Sequence, residues 1–203
     1  MLDEKGFDLW ADGYDRSVGL SDEDGSYPFA GYKRLLNAIY NQVLAQPGRT
    51  VLDIGFGTGV LTAKLYQQGC DVWGQDFSRR MIALAQAKMP KAHLYHGDFS
   101  AGLVPELRAR RYDAIIATYS LHHLTDEQKA ELLRGLLPLL KADGHIYIGD
   151  IAFADRAALE RCRRQSGEDW DEDEMYFAAD EWTAAFPQFA FTAYSDCAGL
   201  LRI

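Results

Sequence analysis

Residues 51–62 read Val51-Leu52-Asp53-Ile54-Gly55-Phe56-Gly57-Thr58-Gly59-Val60-Leu61-Thr62. Val51, Leu52 and Ile54 have the apolar, partly β-branched character of a buried strand. The three alternate glycines that follow let a chain turn sharply and come close to a ligand with no Cβ in the way. Val60, Leu61, Ala63 and Leu65 then suit a helix whose first, unpaired N–H groups face that ligand. A dinucleotide loop would read G-x-G-x-x-G. Here the third glycine comes one position early and Val60 stands where that pattern needs glycine or alanine. A tight turn holding no ligand is the plainer alternative, but the acid inside the strand, Asp53, argues against it. A buried carboxylate needs hydrogen-bond donors, and the amides of a glycine loop supply them.

Composition sets the outer bounds. The chain has 203 residues, 48% hydrophobic and 25% charged, enough for one domain with a sizeable core. A formal net charge of −9 and a pI near 5.0 speak against a nucleic-acid surface, which calls for a basic face. No apolar run approaches a membrane span, and Met1-Leu2-Asp3-Glu4-Lys5 lacks the apolar centre of a signal peptide. The expectation is a cytoplasmic protein, monomer or homodimer, that meets neither nucleic acid nor membrane. Cys70, Cys162 and Cys197 are scattered and odd in number, which suggests neither a disulfide framework nor a zinc site. His93 and His96 flank Leu94-Tyr95 and read as strand residues, so no metal site is expected.

Outward from the glycine loop the chain alternates. Leu35, Leu36, Ile39, Tyr40, Val43 and Leu44 repeat at three and four, a helix with one buried face. After the loop helix, which runs to about Gln68, 71–76 reads as a second strand. Ser78 is placed to N-cap a helix with Met81, Ile82 and Ala85 inward. Residues 93–96 form a short strand and 112–118 (YDAIIAT) a strongly apolar one. Thr125-Asp126-Glu127-Gln128 is a capping box for the helix carrying Leu132, Leu133, Leu136 and Leu137, with Pro138 expected to kink its end. Lys141 to Gly144 reads as a turn into a fifth strand, 145–148, ending at Asp150.

Strands separated by helices predict a doubly wound α/β fold. Its sheet is mostly parallel and seven-stranded, with helices on both faces and a terminal antiparallel strand from a hairpin over 189–203. The expected layout is one domain over 1–203: an N-terminal helical lid (1–46), a core (47–150), a helical insertion (151–188) and the terminal hairpin. Within the insertion the acidic run Glu168 to Glu174 is read as the solvated first turns of a helix, though beside Trp170 and Tyr176 it also suits a cationic amine. The basic cluster Arg161, Arg163 and Arg164 is read as a solvated helix face.

Ligands of such sheets bind beyond the carboxyl ends of the strands, where strand order reverses. Those ends carry the glycine loop, Asp76, Asp98-Phe99, the run Tyr119 to His123, and Asp150. Each alone is compatible with a solvated strand end. An ionised Asp76, acceptor-only, suits a pair of ribose hydroxyls. Asp98 can accept from an adenine amine, and Phe99 offers a ring or its N–H beside the base.

Taken together, VLDIGFGTG, Asp76, GDF, YDAIIATYSLHHL and LLKADGHIYIGD resemble the successive motifs of class I S-adenosylmethionine (SAM)-dependent methyltransferases. FDLWADGYDRSV and TYSLHHLTDEQK are further similar to an uncharacterised bacterial small-molecule family of that class. The resemblance implies a Rossmann-like fold, SAM as cofactor and methyl transfer to a small molecule. By it, Gly55, Gly57 and Gly59 pack on the methionine part, with Phe56 replacing the small or polar residue common in the loop. Asp53 orients the loop or meets the amino group. Asp76 and Phe77 face the ribose, Asp98 and Phe99 the adenine, Tyr119 the methyl group, and Tyr14 closes over the cofactor.

Methyl transfer from a sulfonium is an in-line displacement that asks mainly for alignment and exclusion of water. A base is optional; His122 and His123 are its candidates, with Tyr119 beside them, against the alternative that a histidine only packs beside the strand. Two other functions are weighed: a non-catalytic SAM-binding protein of the same fold, since binding residues alone do not prove turnover, and a nicotinamide-dependent oxidoreductase. The latter is disfavoured by the glycine spacing and the absence of a Tyr-x-x-x-Lys pair.

Overall fold

A computed structural model describes residues 27–203. Tyr14 and the segment before Tyr27 lie outside the described residues. Strand β1 (Thr50–Ile54) is central and runs parallel to both β2 (Asp71–Asp76) and β4 (Tyr112–Thr118). With β3 (His93–His96), β5 (Leu140–Phe153), β7 (Ala190–Ala193) and β8 (Ala198–Arg202), the strand order is β3-β2-β1-β4-β5-β8-β7. Among the described residues only β8 is antiparallel, paired that way with β5 on one side and β7 on the other. The terminal hairpin thus supplies the antiparallel strand its sequence predicts. An eighth short piece, β6 (Phe177–Ala178), runs parallel beside the end of β5.

The strands alternate although their sequences read as continuous apolar runs. Val51, Ala114 and Ile116 join one buried cluster with Leu35, Ile39 and Val43 of helix α1 (Tyr32–Ala45). Leu52, Ile54, Ile115 and Ala117 face the other cluster, with Leu132, Leu133 and Leu136 of the helix after β4. A sheet buried on both faces has no polar side to mark its period. Each large aliphatic side chain so buried contributes about 1.5–3 kcal/mol.

Helix α2 (Val60–Gln67) follows the glycine loop, and α3 (Arg79–Lys88) is capped by Ser78, whose side chain accepts from the Met81 N–H. A single turn, α4 (Pro105–Arg108), precedes β4. Helix α5 (Asp126–Leu136) opens on the reciprocal Thr125–Gln128 capping box. Pro138 does not kink α5: the α-helix stops at Leu136 and a 3₁₀ turn, Leu137–Leu139, replaces it.

Two other expectations are corrected. Strand β5 is far longer than 145–148. The Lys141–Gly144 turn survives as an irregularity inside it, because pairing steps from Tyr112↔Leu140 to Ala114↔His145. Its far end is extended past Asp150 by pairing with β8. The acidic run opens no helix. Helix α6 (Arg156–Ser166) ends at Gly167, whose φ of 54° takes the backbone out of the helix, and Gly167–Asp169 form only a 3₁₀ turn. The run then crosses the sheet end as an irregular strap into β6. Arg163 meets Glu172 at 2.6 Å on the surface, so one of the three arginines pairs with that strap.

Candidate functional site

Strand order reverses between β1 and β4, and a cavity of about 520 Å³ opens at their carboxyl ends. That is the size and place of a small-molecule site in an open α/β sheet. Gly55, Phe56, Gly57, Asp76, Phe77, Phe99 and Tyr119 all line it, as do His122 and His123. Gly59, Asp53 and Asp98 do not.

The three glycines have different tasks. All have positive φ (68°, 54° and 76°). A Cβ on Gly55 would lie 2.5 Å from the Ser120 Cβ, and one on Gly59 would meet Met89 and Ala85 of the α3 region. Those two permit close packing, of β1 against the segment after β4 and of α2 against α3. A Cβ on Gly57 would meet nothing within 4 Å; this is the loop position open to a ligand. Phe56 packs beneath the loop on Gly74, where any Cβ would collide with its ring at 2.6 Å.

Asp76 is buried on the cavity wall. Its Oδ2 accepts from the Gly57 N–H and its Oδ1 from the Ser78 N–H, both at 2.9 Å. It therefore fixes the loop as well as facing the cavity. Asp53 lies under the loop. It accepts from the Thr62 hydroxyl of α2, while its Oδ1 has no hydrogen-bond partner among the described residues. Burial pushes its carboxyl up to about 7, with the Asp76 charge adding to the rise. Asp53 is thus bonded to α2 beneath the loop and does not line the cavity. Phe99 is buried on the cavity wall, whereas Asp98 is exposed and caps a short 3₁₀ turn through the Ser100 N–H at 2.8 Å. The structure thus separates this pair.

Beyond β4 the chain makes a strained turn. Tyr119 has φ 50°, a conformation that costs a non-glycine residue about 1–2 kcal/mol. It is held there by its N–H on the Gly149 carbonyl at 2.8 Å. Its ring packs against Phe29 and Tyr32, centroids 5.3 and 5.1 Å away. The Ser120 hydroxyl ties the turn to the end of β1 through the Ile54 carbonyl. A 3₁₀ turn, Leu121–His123, then sets both histidines at the cavity.

His122 is buried, with Nδ1 2.5 Å from Asp150 Oδ1. Asp150 also accepts from the N–H groups of Leu121 and Ile151. Burial opposes protonation of His122, but the Asp150 charge, its hydrogen bond and the Glu174 charge together outweigh burial and raise the imidazole above its usual range. Asp150 in turn is held below the carboxylate range: burial opposes ionisation, and His122 with the backbone donors overcomes that. His123 is pushed down to about 3 by burial and by its neighbour His122. From the strap, Glu174 Oε1 stands 3.5 Å from His122 Nε2 and 3.8 Å from His123 Nδ1. Burial raises its carboxyl above the ordinary value.

Asp150 is legible in the sequence as a polar strand end. Glu174 was hidden in a run of acids, and nothing in the local sequence marks Lys129, whose fully buried ammonium holds the strap. Its Nζ donates to the Met175 carbonyl at 2.6 Å and to Asp126 at 3.0 Å. The Met175 N–H donates to the His122 carbonyl at 2.8 Å. Tyr27 and Tyr176 join by their hydroxyls, and Tyr27 stacks on Trp170 at the cavity mouth.

Metal-ligand chemistry gathers where the sequence did not predict it. His93 stacks on Trp73, and His96 bonds the Phe77 carbonyl. Instead, donor atoms of His122, His123 and Glu174 all lie within 4.8 Å of one another.

Comparison with known proteins identifies the family and the fold. Residues 51–144 match the family model described as "Methyltransferase domain". An uncharacterised methyltransferase of Geobacillus sp. (strain WCH70) is 37% identical over 194 residues, covering 92% of this chain and 88% of the relative. Another, from Geobacillus kaustophilus (strain HTA426), is 36% identical over 92% of this chain and 87% of its own. Among solved structures, the DhpI–SAH complex superposes with a TM-score of 0.69 at 16% identity, over 98% of this chain and 93% of that one. Magnesium protoporphyrin IX methyltransferase from Synechocystis PCC 6803 with bound SAH gives 0.65 at 20%, over 86% and 83%. At such identities the superpositions carry the fold.

Proposed function

Since the chain belongs to the class I SAM-dependent methyltransferases, we propose that it methylates a small-molecule nucleophile seated against His122, His123 and Glu174. The observation that carries this reading is that one cavity has two unlike walls. One is the loop of Gly55 and Gly57 with Asp76, suited to the cofactor. The other is a buried imidazole–carboxylate pair, His122–Asp150, completed by His123 and Glu174. When bound, SAM would supply an electrophilic methyl carbon on a sulfonium, a good leaving group.

The chain's own residues do the rest. Asp76 accepts hydroxyls while bracing the loop through Gly57. Phe77 and Phe99 enclose the cofactor side, and Tyr119 with Phe29 and Tyr32 forms an aromatic wall that keeps water from an in-line approach. His122, oriented by Asp150, and Glu174 hold the acceptor heteroatom and dispose of its proton. A cavity of about 520 Å³ roofed by the strap suits a small acceptor, and the net charge of −9 disfavours nucleic acid. Layout as an N-terminal lid (1–46), core (47–150), insertion (151–188) and hairpin (189–203) is consistent with this. The three cysteines are free and buried, as suits the reducing cytoplasm.

The test is transfer of tritiated methyl from SAM to a metabolite extract, followed by size fractionation. Label in the low-mass fraction is the expected result; label confined to protein or RNA, or none, would overturn the reading.

A further inference from the structure

We propose that His122, His123 and Glu174 bind one divalent transition-metal ion, zinc being the best match, and that this ion holds the methyl acceptor. The second half rests on reading this cluster as the acceptor subsite; the ion site itself does not.

The spacing of the donors is the first observation. Glu174 Oε1 is 3.5 Å from His122 Nε2 and 3.8 Å from His123 Nδ1. These gaps are too long for good hydrogen bonds between the groups, yet one donor atom from each residue lies within 4.8 Å of the other two. Donors about 2.0–2.1 Å from a zinc ion at tetrahedral angles stand about 3.4 Å apart. Two histidines and a glutamate also match the donor set of catalytic zinc, with a fourth position left open.

The outer partners of such a site are present as well. Asp150 holds the far nitrogen of His122 at 2.5 Å, the carboxylate–histidine arrangement that fixes a ligand's tautomer and ring plane. The Tyr176 hydroxyl donates to Glu174 Oε2 at 2.8 Å, which leaves Oε1 directed at the imidazoles. The backbone of the strap is clamped on both sides of that carboxylate, by Met175 N–H on the His122 carbonyl and by Lys129 on the Met175 carbonyl. Asp169, Asp171 and Asp173 line the same cavity and make its mouth attractive to a cation.

The chemistry follows from an open ligand position facing the cavity. With the ion bound, the ion rather than His122 or Glu174 loosens the proton: an acceptor thiol or hydroxyl on it gives its proton to water, since a bound Lewis acid lowers its pKa. A lone pair of the acceptor atom then forms the new bond to the methyl carbon while the C–S bond breaks toward sulfur.

The test uses the whole protein stripped with a chelator. Cobalt(II) is titrated in and followed by its visible absorption, then zinc is added in competition. One ion per chain, bands of a four- or five-coordinate centre and micromolar or tighter zinc affinity are expected. Glu174→Gln and His123→Ala should each weaken that affinity about 10–100-fold or more, and Asp150→Asn about 10–100-fold, while the surface control His93→Gln leaves it unchanged. Calorimetric SAM binding by each variant verifies that it is folded. Zinc affinity weaker than about 100 μM, or affinity that survives both Glu174→Gln and His123→Ala, overturns the site. A metal-binding protein that labels no small molecule keeps the ion site and overturns the acceptor reading. A protein that binds no metal yet methylates a small molecule overturns this inference alone.

Discussion

The Nδ1 of His122, at the end of the turn after β4, lies 2.5 Å from Oδ1 of Asp150 in the neighbouring strand β5. Because Asp150 is fully buried and also receives two backbone N–H groups, the imidazole's other nitrogen is fixed toward Glu174 and the cavity. Asp150→Asn keeps the shape but loses charge and acceptor capacity. It should cost about 1–3 kcal/mol of stability and lower methyl transfer about 10–100-fold. SAM affinity should change less than threefold by calorimetry. An equal loss of SAM binding would make Asp150 merely structural.

Asp76 binds the loop and faces the cavity at once. Asp76→Ala should weaken SAM binding by at least about tenfold, or 1.4 kcal/mol; unchanged calorimetric affinity would remove it from the cofactor wall.

The glycines give an internal contrast. Gly55→Ala places a Cβ 2.5 Å from the Ser120 Cβ, while Gly57→Ala meets nothing. Both suffer positive-φ strain, so Gly55→Ala should lower the thermal midpoint more, by roughly 1–3 kcal/mol of additional overpacking. Gly57→Ala should instead act mainly on SAM affinity. Equal midpoints for the two would contradict this division.

Asp53 sets a pH dependence. Its folded pKa, about 7 against 3.8 for the ordinary carboxyl, is raised, so the native state holds its proton more tightly than the unfolded chain. The stability this confers is full below about pH 3.8 and is lost as pH rises to about 7. In urea unfolding, wild type minus Asp53→Asn stability should fall over that window and level off above it; a flat difference would show that Asp53 is ionised in the fold.

Lys129 is fully buried and holds the strap through the Met175 carbonyl. Lys129→Met should cost about 1–3 kcal/mol by leaving that carbonyl unpaired, and should reduce methyl transfer although Lys129 does not line the cavity. Urea unfolding and turnover measured together check both.

The parts legible in the sequence are those decided locally. The glycine loop, the Ser78 cap, the Thr125–Gln128 box and the alternation of strands and helices depend on neighbours within a few residues. What escaped depends on distant contacts. Glu174 is one acid among many until the strap folds it onto His122, and the helix suggested by that acidic run does not form, the chain making only a 3₁₀ turn before the strap runs on to β6. Asp98 and Phe99 are adjacent in sequence yet differ in exposure, because only the burial of the ring is settled by the sheet. The extension of β5 required β8, nearly fifty residues further on, to pair with it.

The central claim is that the acceptor sits opposite the glycine loop, against His122, His123 and Glu174. A crystal structure with SAH and the identified acceptor tests it most directly. The account predicts the acceptor heteroatom within direct or ion-mediated reach of His122 Nε2 and Glu174 Oε1. An acceptor seated elsewhere, with these side chains untouched, would contradict it.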